Sequence, residues 1–407
     1  MRLLPTTILL TPFFTLAFGC QVAQQAIEAL KPIDASNILQ QQEIKSLSAL
    51  SFGDGRVIAR HEGEVLALRV SGQPALSLVS AGADGRVIGW DLGSGKGHET
   101  LNLNRPLKLA AIGEIKALVA WADDKGIFVT CIQGCAAQLV LKNFKVRPSS
   151  LAFHNDDTTL LIGGTDGRVY RWRFLEEQEV SSMEEREKMV ERYIGHHTMV
   201  SGVIGHTVGR AFFSSDWDGS LIGWLTYTED DYQGRYDKNP FRGRFYTDIP
   251  ANKTAPRQPD RGIASLALSG DGKELGVGTE DGFVEVWKVQ GFTLSARQKL
   301  HEGRVTGVAL ASDGSKIASV GKDSLVRVSQ ITRDPTYALK SGSPPNLLLG
   351  ISEHTIPAAK SAVFLSSSRV AVSSKTGEIA ELTLTDAPML HPVSAPTTNP
   401  TIRDGDY

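Results

Sequence analysis

The stretch of sequence that decides the fold runs from Leu78 to Leu92 and reads LVSAGADGRVIGWDL. Three related stretches follow it, LIGGTDGRVYRW at 161–172, FSSDWDGSLIGW at 213–224 and VGTEDGFVEVW at 277–287. In all four, a tryptophan lies six residues after the aspartate of an Asp-Gly pair. Four of the six tryptophans in the chain occupy this position, so the sequence contains an internal repeat.

Weaker copies of the same unit lie between and after these four. Residues 125–131, 323–329 and 375–381 preserve parts of it, so the turn position recurs at residues 84, 125, 166, 218, 281, 323 and 375. Three of the intervals, of 41, 41 and 42 residues, match a repeat of about 40–45 residues. The longer intervals predict insertions.

Each unit has the pattern of short β-strands joined by tight turns. The apolar runs Val65–Val70, Ile263–Leu268 and Val305–Leu310 each precede a turn. Glycine suits the Asp-Gly turns because primed hairpin turns require a positive φ. The sequence therefore predicts an all-β fold built from hairpins.

These residues resemble the WD-repeat β-propeller family, named for a Trp-Asp pair such as Trp90-Asp91. The resemblance covers roughly residues 55–384 and implies a structural tetrad of a histidine, a serine or threonine, the turn aspartate and the tryptophan. The matching residues are His61, Ser80, Asp84 and Trp90 in the first unit and His196, Ser214, Asp218 and Trp224 in the fourth. The sixth unit matches with His301, Ser319 and Asp323 but has Ser329 in the tryptophan position.

The resemblance implies a seven-bladed β-propeller of four-stranded antiparallel blades within residues 46–385. The seven units span residues 61–92, 107–132, 148–173, 196–225, 262–288, 301–331 and 355–384. A proline-containing segment follows the last unit, whereas residues 55–60 form a strand-like run ahead of the first. We therefore expect the N-terminal strand to complete the last blade, which removes open sheet edges that promote aggregation.

The N-terminal segment has the features of a secretory leader. Arg2 precedes an apolar run that ends near Phe18, which is typical of a signal peptide at residues 1–19. A transmembrane anchor is the alternative, but the run is shorter than the ~20 residues of a helical span and contains two prolines. The residues up to Cys20 resemble the lipobox of bacterial lipoproteins, which implies lipidation of Cys20 and a periplasmic or membrane-anchored location at the cell envelope. Ordinary signal peptidase cleavage before Cys20 is the other interpretation.

The segments that flank the propeller have the composition of a linker and a tail. Residues 20–45 are rich in glutamine and predict a linker. Residues 386–407 are rich in proline and threonine and predict a disordered tail.

Two further cysteines, Cys131 and Cys135, flank three residues. An oxidising compartment would permit a disulfide between them. Two free, partly buried thiols are the alternative, because this spacing does not guarantee the geometry of a bridge.

Two insertions, at residues 174–192 and 226–261, interrupt the repeat. The first is highly charged and predicts a helix that begins near Ser181 or Ser182. The second concentrates tyrosine and arginine, which are enriched at interface hot spots. It predicts a partner-binding surface formed by Tyr227, Tyr232, Arg235, Tyr236, Phe241, Arg242, Phe245 and Tyr246. The alternative is that these aromatic side chains pack the insertion against the rim of the propeller.

The charge balance and the absence of catalytic motifs narrow the function. The chain has 43 Lys and Arg against 45 Asp and Glu, and this balance argues against nucleic acid as the partner. No phosphate-binding loop or zinc-type motif is present, so we expect no cofactor, no metal and no enzymatic activity. The resemblance implies a scaffold that binds a protein or peptide, as a monomeric propeller within a complex. The alternatives are a small-ligand or glycan sensor at the envelope and a propeller hydrolase or lactonase.

Overall fold

A computed structural model describes residues 49–387, except 54, 71–77, 95, 133–138, 143, 155–156, 175–189, 208–210, 226–261 and 334–345. These residues belong to one compact unit, Lys45–Tyr407. Every regular element among them is a β-strand. Within this part of the chain, no helix is long and apolar enough to cross a membrane.

The strands form antiparallel blades that follow one another along the chain as in a propeller. One parallel contact, between Ala296 and Asn346, joins the outer strands of blades five and six. Blade one contains β3 (Val65–Val70), β4 (Leu78–Gly82), β5 (Arg86–Asp91) and β6 (Lys96–Asn102). Blade two contains β7 (Ala110–Ile112), β8 (Leu118–Asp123), β9 (Gly126–Cys131) and β10 (Leu139–Leu141). Blade three contains β11 (Pro148–Phe153), β12 (Leu160–Gly164), β13 (Arg168–Trp172) and β14 (Val190–Ile194).

The later blades repeat the same order. Three described strands form blade four, β15 (Val200–Gly205), β16 (Ala211–Asp216) and β17 (Leu221–Leu225). Blade five contains β18 (Ile263–Leu268), β19 (Glu274–Thr279), β20 (Phe283–Lys288) and β21 (Thr293–Lys299). Blade six contains β22 (Val305–Leu310), β23 (Lys316–Gly321), β24 (Leu325–Arg333) and β25 (Asn346–Thr355). Blade seven contains β26 (Ala359–Ser366), β27 (Arg369–Ser374) and β28 (Glu378–Ala387), completed by β1 (Ala49–Phe52) and β2 (Arg56–Arg60).

The first strands of the seven blades surround a central axis. They contact one another in the order β3, β7, β11, β15, β18, β22 and β26, and β26 contacts β3 in turn. This closed ring confirms the predicted seven-bladed β-propeller. The apolar core fills the spaces between neighbouring blades, for example where Trp172 and Ile162 of blade three pack with Leu118 and Val129 of blade two.

The ring is closed by N-terminal strands, as the sequence predicted. Strand β2 pairs with β28 from Arg56 opposite Glu381 to Arg60 opposite Glu378, and β1 continues along the same strand. The Glu381 side chain is 4% exposed and binds Arg56 at 2.8 Å and also Arg369 of β27. Arg60 pairs with Glu378 at 2.5 Å. The pairs of Arg56 with Glu381 and of Arg60 with Glu378 join the two ends of the propeller through two residues of one strand, β28.

Two predicted boundaries are wrong. Residues 190–192, expected at the end of a helical insertion, belong to β14, which pairs with β13 as the outer strand of blade three. The proposed tail begins too early, because residues 386 and 387 extend β28 and pair with β1. In both cases, hydrogen bonding to a neighbouring strand outweighs the local composition.

Candidate functional site

The structure brings the four predicted tetrad residues of blade one into one hydrogen-bonded chain. The indole Nε1–H of Trp90 donates to Ser80 Oγ at 2.8 Å, and Ser80 Oγ lies 2.7 Å from His61 Nε2. His61 Nδ1 lies 3.1 Å from Asp84. Because the indole can only donate, the serine hydroxyl is free to donate to His61 Nε2. The remaining imidazole proton then lies on Nδ1 and points at the carboxylate.

The protonation states of this chain follow from burial and hydrogen bonding. Burial lowers the pKa of His61 below its ordinary value, although Asp84 opposes the shift. Burial also disfavours the charged form of Asp84, but backbone N–H groups of Arg86 and Glu62 and the contact with His61 lower the pKa of this carboxyl. A neutral imidazole therefore bonds to an ionised carboxylate inside the blade. His61 and Ser80 are buried, and Asp84 and Trp90 are partly buried. We therefore interpret the four residues as contacts that stabilise the blade.

In blade four, the predicted aspartate is wrong. His196 Nδ1 bonds to Asp216 at 3.0 Å, whereas Asp218 only donates its backbone N–H to the same carboxylate. The rest of the chain is as expected, with Ser214 Oγ 2.6 Å from His196 Nε2 and 2.7 Å from the indole nitrogen of Trp224.

The difference has a simple steric cause. In blade one, the residue three positions before the turn glycine is Gly82, and a Cβ there would lie 2.3 Å from His61 Nδ1 and 2.4 Å from Asp84. Gly321 has the same surroundings in blade six. In blade four, this position is Asp216, so its own carboxylate occupies the space beside the histidine. The signal in the sequence is the replacement of glycine by aspartate at this one position.

Blades two, three and five have other contacts around the turn or the third strand. In blade three, the hydroxyl of Tyr170 donates to Asp166 at 2.7 Å. In blade five, the indole of Trp287 donates to Glu285 at 3.0 Å. In blade two, Cys131 is in the tryptophan position and is disulfide-bonded. Cys135, its predicted partner, lies outside the described residues, so that pairing stays a prediction.

One face of the propeller, here called the upper face, combines the turns between second and third strands with the segments that lead into the first strands. In five blades, the carbonyl before the first strand accepts a hydrogen bond from such a turn, for example Glu64 from Ala83 at 2.7 Å and Arg304 from Lys322 at 2.8 Å. Residues at these positions therefore surround the mouth of the central ring.

Three blades contribute to a cluster at this mouth that the sequence analysis missed. The guanidinium carbon of Arg304 lies 4.6 Å from the ring centroid of Trp217, and its Nε lies 3.1 Å from Glu280. Trp217 comes from blade four, Glu280 from blade five and Arg304 from the segment before blade six. All three are partly exposed. Burial raises the pKa of Glu280, while Arg304 and Lys322 oppose that shift.

The other predicted functional residues lie outside the described residues. These are Cys20 and the candidate partner-binding residues Tyr227, Tyr232, Arg235, Tyr236, Phe241, Arg242, Phe245 and Tyr246. In the described part of the chain, no group of three or more His, Cys, Asp or Glu side chains is arranged to hold a metal ion.

Comparison with known proteins agrees with this geometry. The family model "WD domain, G-beta repeat" matches residues 140–173 and 293–328. These two segments match the WD40 repeat. The resemblance of the repeat units to the WD-repeat family is thereby confirmed, whereas the resemblance of the leader to a lipobox stays a prediction.

The chain also resembles solved structures of WD40 propellers, among them the following two. The crystal structure of RRP9 WD40 repeats has a TM-score of 0.57 and 18% identity, over 83% of this chain and 99% of that one. The structure of U3-55K has a TM-score of 0.55 and 18% identity, over 81% of this chain and 98% of that one. At this identity, the likeness concerns the fold alone.

Proposed function

We propose that the protein is a non-enzymatic WD40 scaffold that binds a protein partner at the bacterial cell envelope. WD40 propellers are typically protein-interaction scaffolds. The observation that supports a binding role most directly is the cluster of Trp217, Arg304 and Glu280. Tryptophan and arginine are the side chains most enriched at interface hot spots, and here they are stacked and partly exposed at the mouth of the ring.

The proposed location is supported by two features. The leader up to Cys20 has the pattern of an exported lipoprotein. Cys131 is disulfide-bonded, and structural disulfides persist mainly in oxidising compartments outside the cytoplasm.

The test is affinity purification of the full-length, C-terminally tagged protein from its native envelope in mild detergent, followed by mass spectrometry. We expect a near-stoichiometric protein partner with the unaltered protein and loss of that partner with the double variant Trp217→Ala/Arg304→Ala. Mass spectrometry of the N-terminal peptide would show whether Cys20 is acylated.

Blade five offers a matched control. Arg297 lies 4.2 Å from the ring centroid of Phe283 and 3.3 Å from Glu285, so it has the same kinds of neighbours away from the mouth. The double variant Phe283→Ala/Arg297→Ala should retain the partner. Equal loss in both variants would contradict binding at the mouth, and a clean monomer from the unaltered protein would contradict the scaffold function.

A further inference from the structure

A second surface feature lies on the upper face between blades two and three. A cavity of about 170 Å³ opens there, between the β8–β9 turn and the segment that leads into β11. Its apolar lining includes Ile127, Phe144 and Pro148. This volume is sufficient for one apolar side chain of moderate size.

The apolar wall of the cavity is held in place by the neighbouring blade. The ring of Phe144 meets the ring of Tyr170 edge-on, with centroids 4.9 Å apart. The hydroxyl of Tyr170 in turn donates to Asp166 at 2.7 Å, which fixes the orientation of this ring. The wall is therefore formed before any ligand arrives, which reduces the entropy lost on binding.

The surroundings of the cavity are positively charged, although the whole chain has a net charge of −2. Four exposed cations, Lys125, Lys142, Lys145 and Arg147, lie at or beside the lining residues. None of them forms an ion pair with another described residue.

Two carboxylates share the same rim. Asp123 is already paired with Arg105 at 2.6 Å, so the one exposed carboxylate without a described ion pair is Asp124. The rim therefore has a local excess of positive charge around a cavity that exposes polar groups as well as the apolar side chains of Phe144 and Pro148.

We infer that this cleft binds an acidic segment of a partner protein that inserts one apolar side chain into the cavity. The four cations supply the charge complementarity, and the wall of Phe144 and Pro148 supplies the pocket for the anchor. A peptide fits better than a nucleic acid because the strip of four cations is short and because an amino-acid side chain, unlike a phosphate, gains from contact with the apolar wall of the cavity. The inference rests on the proposed scaffold function but uses a surface separate from Trp217.

The test measures fluorescence anisotropy of the full-length protein with two labelled dodecapeptides. One contains eleven Asp or Glu residues and a central Leu, and the other has Ser in place of that Leu. We expect the Leu peptide to bind at least about tenfold more tightly, because its side chain leaves water on entering the cavity. Equal affinity for the two peptides, or no binding of either, would overturn the inference.

Charge variants locate the surface. The variant Lys142→Gln/Lys145→Gln/Arg147→Gln should weaken binding of the Leu peptide at least about tenfold and reduce its salt dependence. The control Lys96→Gln/Lys116→Gln/Lys288→Gln removes the same charge from exposed positions elsewhere and should leave affinity within about twofold. Equal effects of the two triple variants would mean non-specific attraction and would overturn the inference.

Two more measurements separate this inference from its alternatives. The variant Trp217→Ala/Arg304→Ala should leave the affinity for the Leu peptide unchanged. If this variant no longer binds the peptide while Lys142→Gln/Lys145→Gln/Arg147→Gln still does, the peptide binds at the mouth of the ring and not in the cleft. A labelled 12-nucleotide single-stranded RNA should bind more weakly than the Leu peptide. Tighter binding of the RNA, with the same dependence on Lys142 and Lys145, would assign the cleft to nucleic acid.

Discussion

Blades one and six contain the same histidine, serine and aspartate but differ in the fourth tetrad residue. In blade one, Trp90 donates to Ser80 and completes the chain. In blade six, His301 still contacts Ser319 at 2.9 Å and Asp323 at 3.0 Å, although Ser329 stands in the place of the tryptophan. The His-Ser-Asp geometry therefore forms without the indole.

Blade six has other contacts around the same residues. Arg327 lies 3.3 Å from Asp323 and 2.6 Å from Glu353 of the outer strand. Strands β24 and β25 contain 9 and 10 residues, whereas β5 and β6 of blade one contain 6 and 7. Longer strand pairing and the ion pairs of Arg327 thus take the place of the tryptophan contact. The tetrad is therefore one of several sets of contacts that stabilise a blade.

The largest expected effect is on the tryptophan itself. Trp90→Ala should lower the free energy of unfolding by about 3 kcal/mol, because it leaves a cavity and removes the donor to the buried Ser80. The hydroxyl of Ser329 is buried with no hydrogen-bond partner among the described residues, so Ser329→Ala should change stability by less than about 0.5 kcal/mol. Denaturant unfolding measures both, and equal losses would contradict the difference between the blades.

A smaller effect is expected from the aspartate of blade four. Asp216→Asn should cost about 2 kcal/mol, because Asp216 accepts hydrogen bonds from His196 and from two backbone N–H groups. Asp218→Asn serves as the matched control and should cost less than about 0.5 kcal/mol. Thermal unfolding measures both variants. A larger loss of stability in Asp218→Asn than in Asp216→Asn would mean that Asp218 is the aspartate of the tetrad.

The smallest effect, shared by the two blades, is a dependence on pH. Burial lowers the pKa of both His61 and His301 below the ordinary value of 6.5, so the unfolded chain binds protons first. Stability should be constant above this pH and decline below it as the histidines of the unfolded state become charged.

A second decline should follow below the ordinary aspartate value of 3.8, because the pKa values of Asp84 and Asp323 are also lowered. The melting temperature measured across this range checks both steps. In His61→Gln/His301→Gln, the first decline should become shallower, and an unchanged profile would contradict the assignment.

The repeat spacing predicts the fold well because each blade is a local hairpin unit whose Asp-Gly turn and tryptophan lie close together in sequence. The sequence also predicts the closure by residues 55–60. The last unit lacks a fourth strand, and the strand ahead of the first unit is the one left to supply it. Helical composition at residues 190–192 misleads because strand pairing decides their conformation. The sequence pattern is thus sufficient to predict structure where the contacting residues lie close together in the chain.

The candidate site is less predictable because its residues meet only across blades. Trp217 and Arg304 come from different repeats, and nothing in either stretch indicates that their side chains stack. Asp216 and Asp218 are the same residue type two positions apart, and only the steric role of Gly82 distinguishes them. Comparing position 82 with 216 and 321 would have identified Asp216.

The pairing of β2 with β28 also determines the order of events during synthesis. Arg60 is translated 318 residues before Glu378, its partner. At about 5–20 residues per second, the strand waits roughly 15–60 s for the segment that pairs with it. Arg56 and Arg60 carry charge on this strand throughout that interval, and charge on an unpaired edge discourages pairing with other chains. We therefore expect the two arginines that bind the glutamates of the finished blade to discourage aggregation before the ring closes.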